Sequence, residues 1–119
     1  MLQHFRELDF YVDAYQLALE VHALTLQFPG WERAELGGQM RRASKSIPAV
    51  IAEGWGRREY PKELKHFFAV AIGSGEEMQV HLDFCRDLGY LTEPAHAGYV
   101  ERYRSVVRRL VAFSKRWER

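Results

Sequence analysis

Few acidic and histidine side chains in this sequence have the spacing of metal ligands. A di-iron site in a helical bundle needs two Glu-x-x-His pairs and a Glu from each of two further helices. Glu63 and His66 have that spacing, but they fall in the first turn of a predicted helix and we identify no partner motif for them. Glu77 and His81 are four residues apart, which a surface ion pair on one helix explains more simply. We therefore predict neither a metal site nor a cofactor.

Nucleophilic catalysis has no better support. Cys85, the one cysteine, lies on the apolar side of a predicted helix, where a free cysteine usually acts as a small hydrophobic residue. No glycine-rich loop between a strand and a helix is present to bind phosphate. The sequence therefore predicts a protein that is not an enzyme. Its single cysteine, its charged N-terminus and its lack of a long apolar run favour a cytoplasmic protein without a membrane partner.

The last predicted helix carries its cations on one half of its surface. They form two rows along about 20 Å of helix, which could follow a phosphate backbone. The rows are Arg104, Arg108 and Lys115, and beside them Arg102, Arg109 and Arg116. We take these six as candidate RNA- or DNA-binding residues. The alternatives are pairing with acids of the first and third helices, or an acidic protein partner.

Helical periodicity divides the chain into four segments, at about 10–28, 32–57, 61–88 and 94–117. The sequence Phe-Pro-Gly ends the first, Pro61 fits the first turn of the third, and Gly89 fits its C-terminal stop. Pro48 interrupts the second segment, where we expect a kink. Because the links are short, neighbouring helices should be antiparallel. We predict one all-α domain over residues 1–119, an up-down-up-down antiparallel four-helix bundle.

Charge alternates along these segments. Residues 1–30 carry a net charge of −3, residues 31–65 carry +3, residues 66–98 carry −4 and residues 99–119 carry +5. In an up-down-up-down bundle the first and third helices are diagonal, so each acidic helix lies beside two basic ones. The pattern favours that topology.

The first predicted helix has two apolar stripes. One stripe fits the core of the bundle. The second contains Val12, Tyr15, Leu19, His22 and Leu26, and it leaves only a narrow polar back. An isolated bundle helix needs one apolar stripe. We therefore expect the second stripe to be buried against another copy of the chain.

The second predicted helix carries a polar stripe beside its core positions. Its side chains fall within about a 60° sector, so we expect them to be partly buried and hydrogen-bonded. The stripe consists of Gln39, Arg42, Ser46, Glu53 and Arg57. Glu77 on the third helix is the expected partner of Arg42 or Arg57. We interpret the stripe as a structural or interface motif, with ligand or nucleic-acid binding as the alternative.

Residues 39–58, QMRRASKSIPAVIAEGWGRR, resemble the signature of proteins encoded in 23S ribosomal RNA intervening sequences. In that signature Gly54 belongs to the Ala-Glu-Gly element, and Val50 stands where the family usually has Asn. A second family feature, Ala-x-Gly-Ser-x-x-Glu, is matched from Ala71 to Glu77. The resemblance covers essentially the whole chain.

This resemblance implies a four-helix bundle that assembles as a homopentamer and has no demonstrated enzymatic activity. The same family includes the accessory protein of diversity-generating retroelements, which implies contact with nucleic acid. The number five comes from the resemblance, since periodicity does not fix it.

Overall fold

The computed structural model describes residues 2–117, and within that range every regular element is helical. The chain has four long helices, with one short helix between the first two and a 3-10 turn at Phe5–Glu7 before the first. In chain order the α-helices are α1 Asp9–Thr25, α2 Gly30–Ala34, α3 Leu36–Gly56, α4 Pro61–Asp87 and α5 Glu93–Lys115.

The four long helices form an elongated body of 46 × 23 × 20 Å. Helix α1 packs against α3 and α5, and α4 packs against the same two helices. Therefore α1 and α4 lie on one diagonal of the bundle, and α3 and α5 lie on the other. The predicted four-helix bundle is confirmed, and the helices are adjacent in the order that the charge pattern favours.

The bounds of the first two helices differ from the prediction. Helix α1 ends at Thr25 rather than at 28. The segment predicted at 32–57 is two helices, separated at Glu35, whose ψ of −92° is not helical. The reason is close packing: a Cβ on Gly37 would lie 3.2 Å from the backbone oxygen of Glu32. Glycine at that position allows α2 to fold against the first turn of α3.

The predicted start and stop signals of the later helices are confirmed. Pro61 occupies the first turn of α4. Gly89, with φ of +85°, follows the end of α4 in the left-handed region that glycine tolerates. The hydroxyl of Thr92 accepts a hydrogen bond of 3.3 Å from the backbone N–H of Ala95 and so caps α5. Helix α3 continues through Pro48.

The core runs along the axis of the bundle and contains side chains from all four long helices, among them Leu17, Ile47, Phe68 and Leu110. At Gly75 the helices α4 and α5 approach closely, since a Cβ there would lie 2.6 Å from Cγ2 of Val107. None of the helices in residues 2–117 combines the length and apolar composition needed to cross a membrane.

Candidate assembly surface and basic face

The second apolar stripe of α1 is exposed in the single chain. Val12, Tyr15, Leu19 and Leu26 have relative exposures of 50–53%. They point away from the core residues of the same helix, such as Leu17, which is fully buried. The prediction that α1 has apolar residues on two faces is confirmed.

This stripe borders a groove of about 500 Å³ between α1 and α3. Tyr15 and Leu19 line one side, and Pro48 and Ala49 line the other. Lys45 is the one lysine, arginine or carboxylate among the lining residues. We call this surface, comprising the exposed stripe of α1 and the adjoining groove, the α1–α3 face.

A second exposed apolar surface lies on α4, and the sequence analysis did not single it out. Val80, Phe84 and Leu88 have relative exposures of 53–54%. We call these three residues the α4 face. They recur every four residues along α4 and its C-cap Leu88, away from the core stripe, so the same periodicity that revealed the stripe on α1 could have found them. All three line a smaller groove of about 260 Å³, to which Gln39 and His81 also contribute.

One of the two predicted basic rows is paired with α1. The guanidinium of Arg102 donates hydrogen bonds of 2.8 and 2.6 Å to the two carboxylate oxygens of Glu20. Arg109 donates a hydrogen bond of 2.7 Å to Asp13 and lies 3.3 Å from Asp9. The hydrogen bond from Arg102 lowers the pKa of Glu20, against a smaller opposing effect of burial. The predicted alternative, pairing with acids of the first helix, therefore holds for Arg102 and Arg109.

The remaining cations of α5 have other surroundings. Arg104, Arg108 and Lys115 are exposed. Arg108 donates a hydrogen bond of 2.9 Å to Glu101 on its own helix, which lowers the pKa of that carboxyl. Within residues 2–117, Arg104 and Lys115 form no ion pair. Arg116 caps the C-terminal end of α5, lines the same surface depression as Arg109, and lies with its guanidinium 5.7 Å from the centre of the Phe113 ring.

The polar stripe of α3 is less buried than its position beside the core indicates. Gln39, Arg42, Glu53 and Arg57 are exposed. Ser46 is partly buried and donates a hydrogen bond to the backbone oxygen of Ala43, with the Ser74 hydroxyl also 2.9 Å away. Within the single chain the predicted partial burial therefore holds only for Ser46, and Arg57 lies 4.0 Å from Glu53 of the same stripe. Burial of the stripe in a subunit interface stays a prediction.

Glu77 does not meet Arg42 or Arg57, which corrects the expected pairing. Its carboxylate lies 2.8 Å from Nε2 of His81, as the i,i+4 interpretation predicts. Arg57 instead donates a hydrogen bond of 2.7 Å to Glu63 in the first turn of α4. This contact crosses the short loop between α3 and α4 and gives Arg57 an acidic partner close in sequence.

Gly54 and Val50 have packing roles. A Cβ on Gly54 would lie 2.9 Å from Cδ1 of Phe68, so glycine permits α3 and α4 to approach closely. Val50, at the position where the family signature has Asn, is partly buried against the core.

No group of three or more metal-binding side chains is found within residues 2–117. Glu63 pairs with Arg57, as described above. Glu93 and His96 also have Glu-x-x-His spacing, which the sequence analysis did not consider. His96 lies 2.8 Å from Asp83, and Glu93 lies 3.9 Å from Arg86.

Three further hydrogen bonds, made by Tyr90 and Arg41 and not predicted from the sequence, fix α2 and the end of α1. The Tyr90 hydroxyl donates a hydrogen bond of 2.8 Å to the buried carboxylate of Glu32. Arg41 donates 2.8 and 2.9 Å bonds to the Thr25 hydroxyl and the Arg33 backbone oxygen. Only the fold brings these residues together, since 58 positions separate Tyr90 from Glu32.

Comparison with known protein families shows to which family the chain belongs. The family model described as 23S rRNA-intervening sequence protein matches residues 6–112. The chain belongs to this family. The match includes all of α1 to α4 and most of α5, and with them both apolar faces of this intervening-sequence protein. A search of the curated proteins finds no match. The family's description names no reaction.

Proposed function

We propose that this intervening-sequence protein is a non-enzymatic cytoplasmic scaffold that assembles with copies of itself as a homopentamer. The observation that carries the proposal is the exposed stripe of Val12, Tyr15, Leu19 and Leu26 on α1. Contiguous exposed apolar side chains mark interaction surfaces on folded proteins. The free thiol of Cys85 supports a cytoplasmic location. The subunit number of five comes from the family resemblance.

The stripe suits a protein partner better than a small-molecule substrate. The adjoining groove is open and runs beside the stripe, and among the described residues that line it Lys45 is the one lysine, arginine or carboxylate. A substrate pocket usually combines an enclosed apolar cavity with several convergent polar groups. Burying four half-exposed apolar side chains against a second copy removes them from water, which is favourable by roughly 25 cal/mol per Å² of apolar surface.

Light scattering coupled to size-exclusion chromatography tests this proposal. The parent protein should elute with a mass of several chains, and five is expected. Leu19→Glu places a charge in the stripe and should lower the mass. Val111→Glu is the control, because Val111 is also an exposed aliphatic residue but lies on α5. A parent protein that is monomeric at micromolar concentration would contradict self-assembly.

A second candidate function is nucleic-acid binding by the outward row of Arg104, Arg108 and Lys115. These cations are exposed, and Arg104 and Lys115 form no ion pair within residues 2–117, which leaves their charged groups accessible to phosphates. In an oligomer the row repeats and its field adds. The segment that carries it has a net charge of +5.

Binding of labelled single- and double-stranded RNA and DNA, measured at several salt concentrations, tests this candidate. If phosphates are contacted, the logarithm of affinity falls linearly with the logarithm of salt concentration. The double variant Arg104→Glu, Arg108→Glu should abolish binding, and Arg6→Glu, Arg33→Glu is the charge-matched control. Equal binding by both variants would remove the basic row from the mechanism. No binding by the parent protein would leave an acidic protein as the alternative partner of this row.

A further inference from the structure

We infer that the assembly is head-to-tail: the α4 face of one copy docks against the α1–α3 face of the next. This inference rests on the proposed self-assembly and specifies which surfaces meet. It begins from the observation that the chain has two unlike apolar surfaces. One surrounds a groove of about 500 Å³ between α1 and α3, whereas Val80, Phe84 and Leu88 line a shallower groove of about 260 Å³ beside α2 and α3.

The two faces lie on different sides of the bundle. Helices α1 and α4 are diagonal and both contact α3, so one copy cannot bring its own two faces together. Each face therefore needs a second molecule. When two chains pair through unlike faces, the pair still has one free α1–α3 face and one free α4 face. Further copies can therefore add, and a ring closes when the rotation between neighbouring copies brings the last chain back to the first.

The apolar residues of the two faces are at the same height along the bundle. At 1.5 Å per residue, Leu19 lies about 9 Å from the Thr25 end of α1. By the same measure Val80 lies about 10 Å from the Asp87 end of α4. Short connections place these two helix ends at the same end of the bundle. Copies with parallel long axes therefore bring Leu19 opposite Val80 without a shift along the axis.

The charges of the two faces are complementary at a matching height. Lys45 lies in the groove, about 14 Å from the start of α3. Glu76 and Glu77 are exposed on α4, about 15–16 Å from the end of that helix. Docking in parallel thus places an ammonium group near two carboxylates, which favours this register over others.

Contact between two α4 faces is disfavoured by the same charges. Glu76, Glu77, Asp83 and Asp87 are all exposed near this face. Within each copy Asp87 is paired with Arg86, and Asp83 and Glu77 lie 2.8 Å from His96 and His81. A symmetric α4–α4 contact would still bring the carboxylates of two copies together, whereas the head-to-tail contact places Glu76 and Glu77 against a groove that carries a lysine. Because α5 is diagonal to α3, its outward row stays exposed when both faces are occupied.

Mixing two variants tests the inference. Leu19→Glu disables the α1–α3 face, and Phe84→Glu disables the α4 face. Each variant alone should be monomeric. Mixed in equal amounts, they should form a particle of twice the mass that contains one chain of each, because one intact face of each kind remains. Circular dichroism checks that both variants are helical.

The outcomes separate the two proposals. A monomeric parent contradicts self-assembly itself. If the parent assembles, but each variant dimerises by itself and the two variants do not bind each other, only the head-to-tail arrangement is contradicted. Dimers of a single variant would mean that two like faces meet.

A cross-linking experiment keeps the inference testable if a charged variant misfolds. In a Cys85→Ala background, the double variant Leu19→Cys, Val80→Cys should give a ladder of disulfide-linked chains under a mild oxidant. Leu19→Cys or Val80→Cys alone should give none. Dimers from either single variant, or no ladder from the double variant while it is assembled, would overturn the proposed pairing.

Discussion

Arg102 on α5 holds Glu20 on α1 through two parallel hydrogen bonds of 2.8 and 2.6 Å, across 82 positions of sequence. This bidentate contact joins the first long helix to the last. It also determines which part of the basic face is available to a ligand, because a guanidinium held by a carboxylate on both nitrogens has few donors left for phosphate. The outward row of Arg104, Arg108 and Lys115 has no such contact with another helix within residues 2–117.

Replacing Glu20 by Gln should lower stability near neutral pH by about 0.2–1 kcal/mol, because the pair is partly solvated. The hydrogen bond from Arg102 lowers the pKa of Glu20 in the folded protein. The contribution is therefore complete above the ordinary carboxyl pKa and is lost as pH falls through the lowered value. Urea unfolding should show a gap between parent and Glu20→Gln at pH 7 that closes in acid.

The double variant Glu20→Gln, Arg102→Gln completes a cycle with the single variants. Additive losses at pH 7 would mean that the pair contributes nothing beyond its separate side chains.

The sequence was sufficient for the architecture because the fold depends on patterns that repeat. Helical periodicity, together with Pro61 and Gly89, predicts where the helices begin and end. The acidic and basic segments then lie side by side and form ion pairs such as Arg109 with Asp13. The exposed stripe of α1 was equally predictable, since helical periodicity shows which residues share a face of a helix before any contact is known.

Contacts between specific side chains were less predictable. Sequence spacing placed Glu77 and Arg42 on facing helices but could not tell that His81, on the same helix as Glu77, would take its carboxylate. The break at Glu35 depends on how closely α2 packs against Gly37, which is a tertiary distance. The division of the basic face likewise required the positions of the carboxylates on α1.

Two glycines of α4 should respond oppositely to alanine. At Gly75 the new methyl would lie 2.6 Å from Cγ2 of Val107, so Gly75→Ala should destabilise the protein by about 1–3 kcal/mol through overpacking. At Gly73 a Cβ would have no neighbour within 4 Å, so Gly73→Ala should stabilise it by about 0.5–1 kcal/mol. Gly73 thus has no role in close helix packing, unlike Gly75. Thermal unfolding of both variants measures the contrast, and equal shifts in Tm would contradict it.

The thiol of Cys85 should be unreactive in the folded protein. Burial raises its pKa to about 12. Its sulfur lies 3.5 Å from that of Met40 in the core. Because the thiolate is the reactive form, its fraction at pH 8 is about a thousandfold smaller than at the ordinary pKa. A colorimetric disulfide reagent should react slowly with the native protein and at once in urea. Rapid native reaction would show that α4 opens.

Tyr103 and Tyr90 offer a comparison between a tyrosine hydroxyl without a hydrogen-bond partner in residues 2–117 and one that has such a partner. The Tyr103 side chain is fully buried, and its hydroxyl has no hydrogen-bond partner within residues 2–117. Removing that hydroxyl in Tyr103→Phe should leave stability unchanged or raise it by up to about 1 kcal/mol, because no bond is lost and a desolvated polar atom is removed.

Tyr90→Phe should instead lower stability by about 1–3 kcal/mol. The Tyr90 hydroxyl donates a hydrogen bond of 2.8 Å to the carboxylate of Glu32, which is buried and would lose this donor. Both variants remove one oxygen from the same type of side chain, and Tyr90 is the less buried of the two, so a larger loss in Tyr90→Phe points to the hydrogen bond. Urea unfolding at pH 7 gives both values. A loss in Tyr103→Phe as large as that in Tyr90→Phe would mean that the Tyr103 hydroxyl does have a partner in solution, and a buried water is the natural candidate.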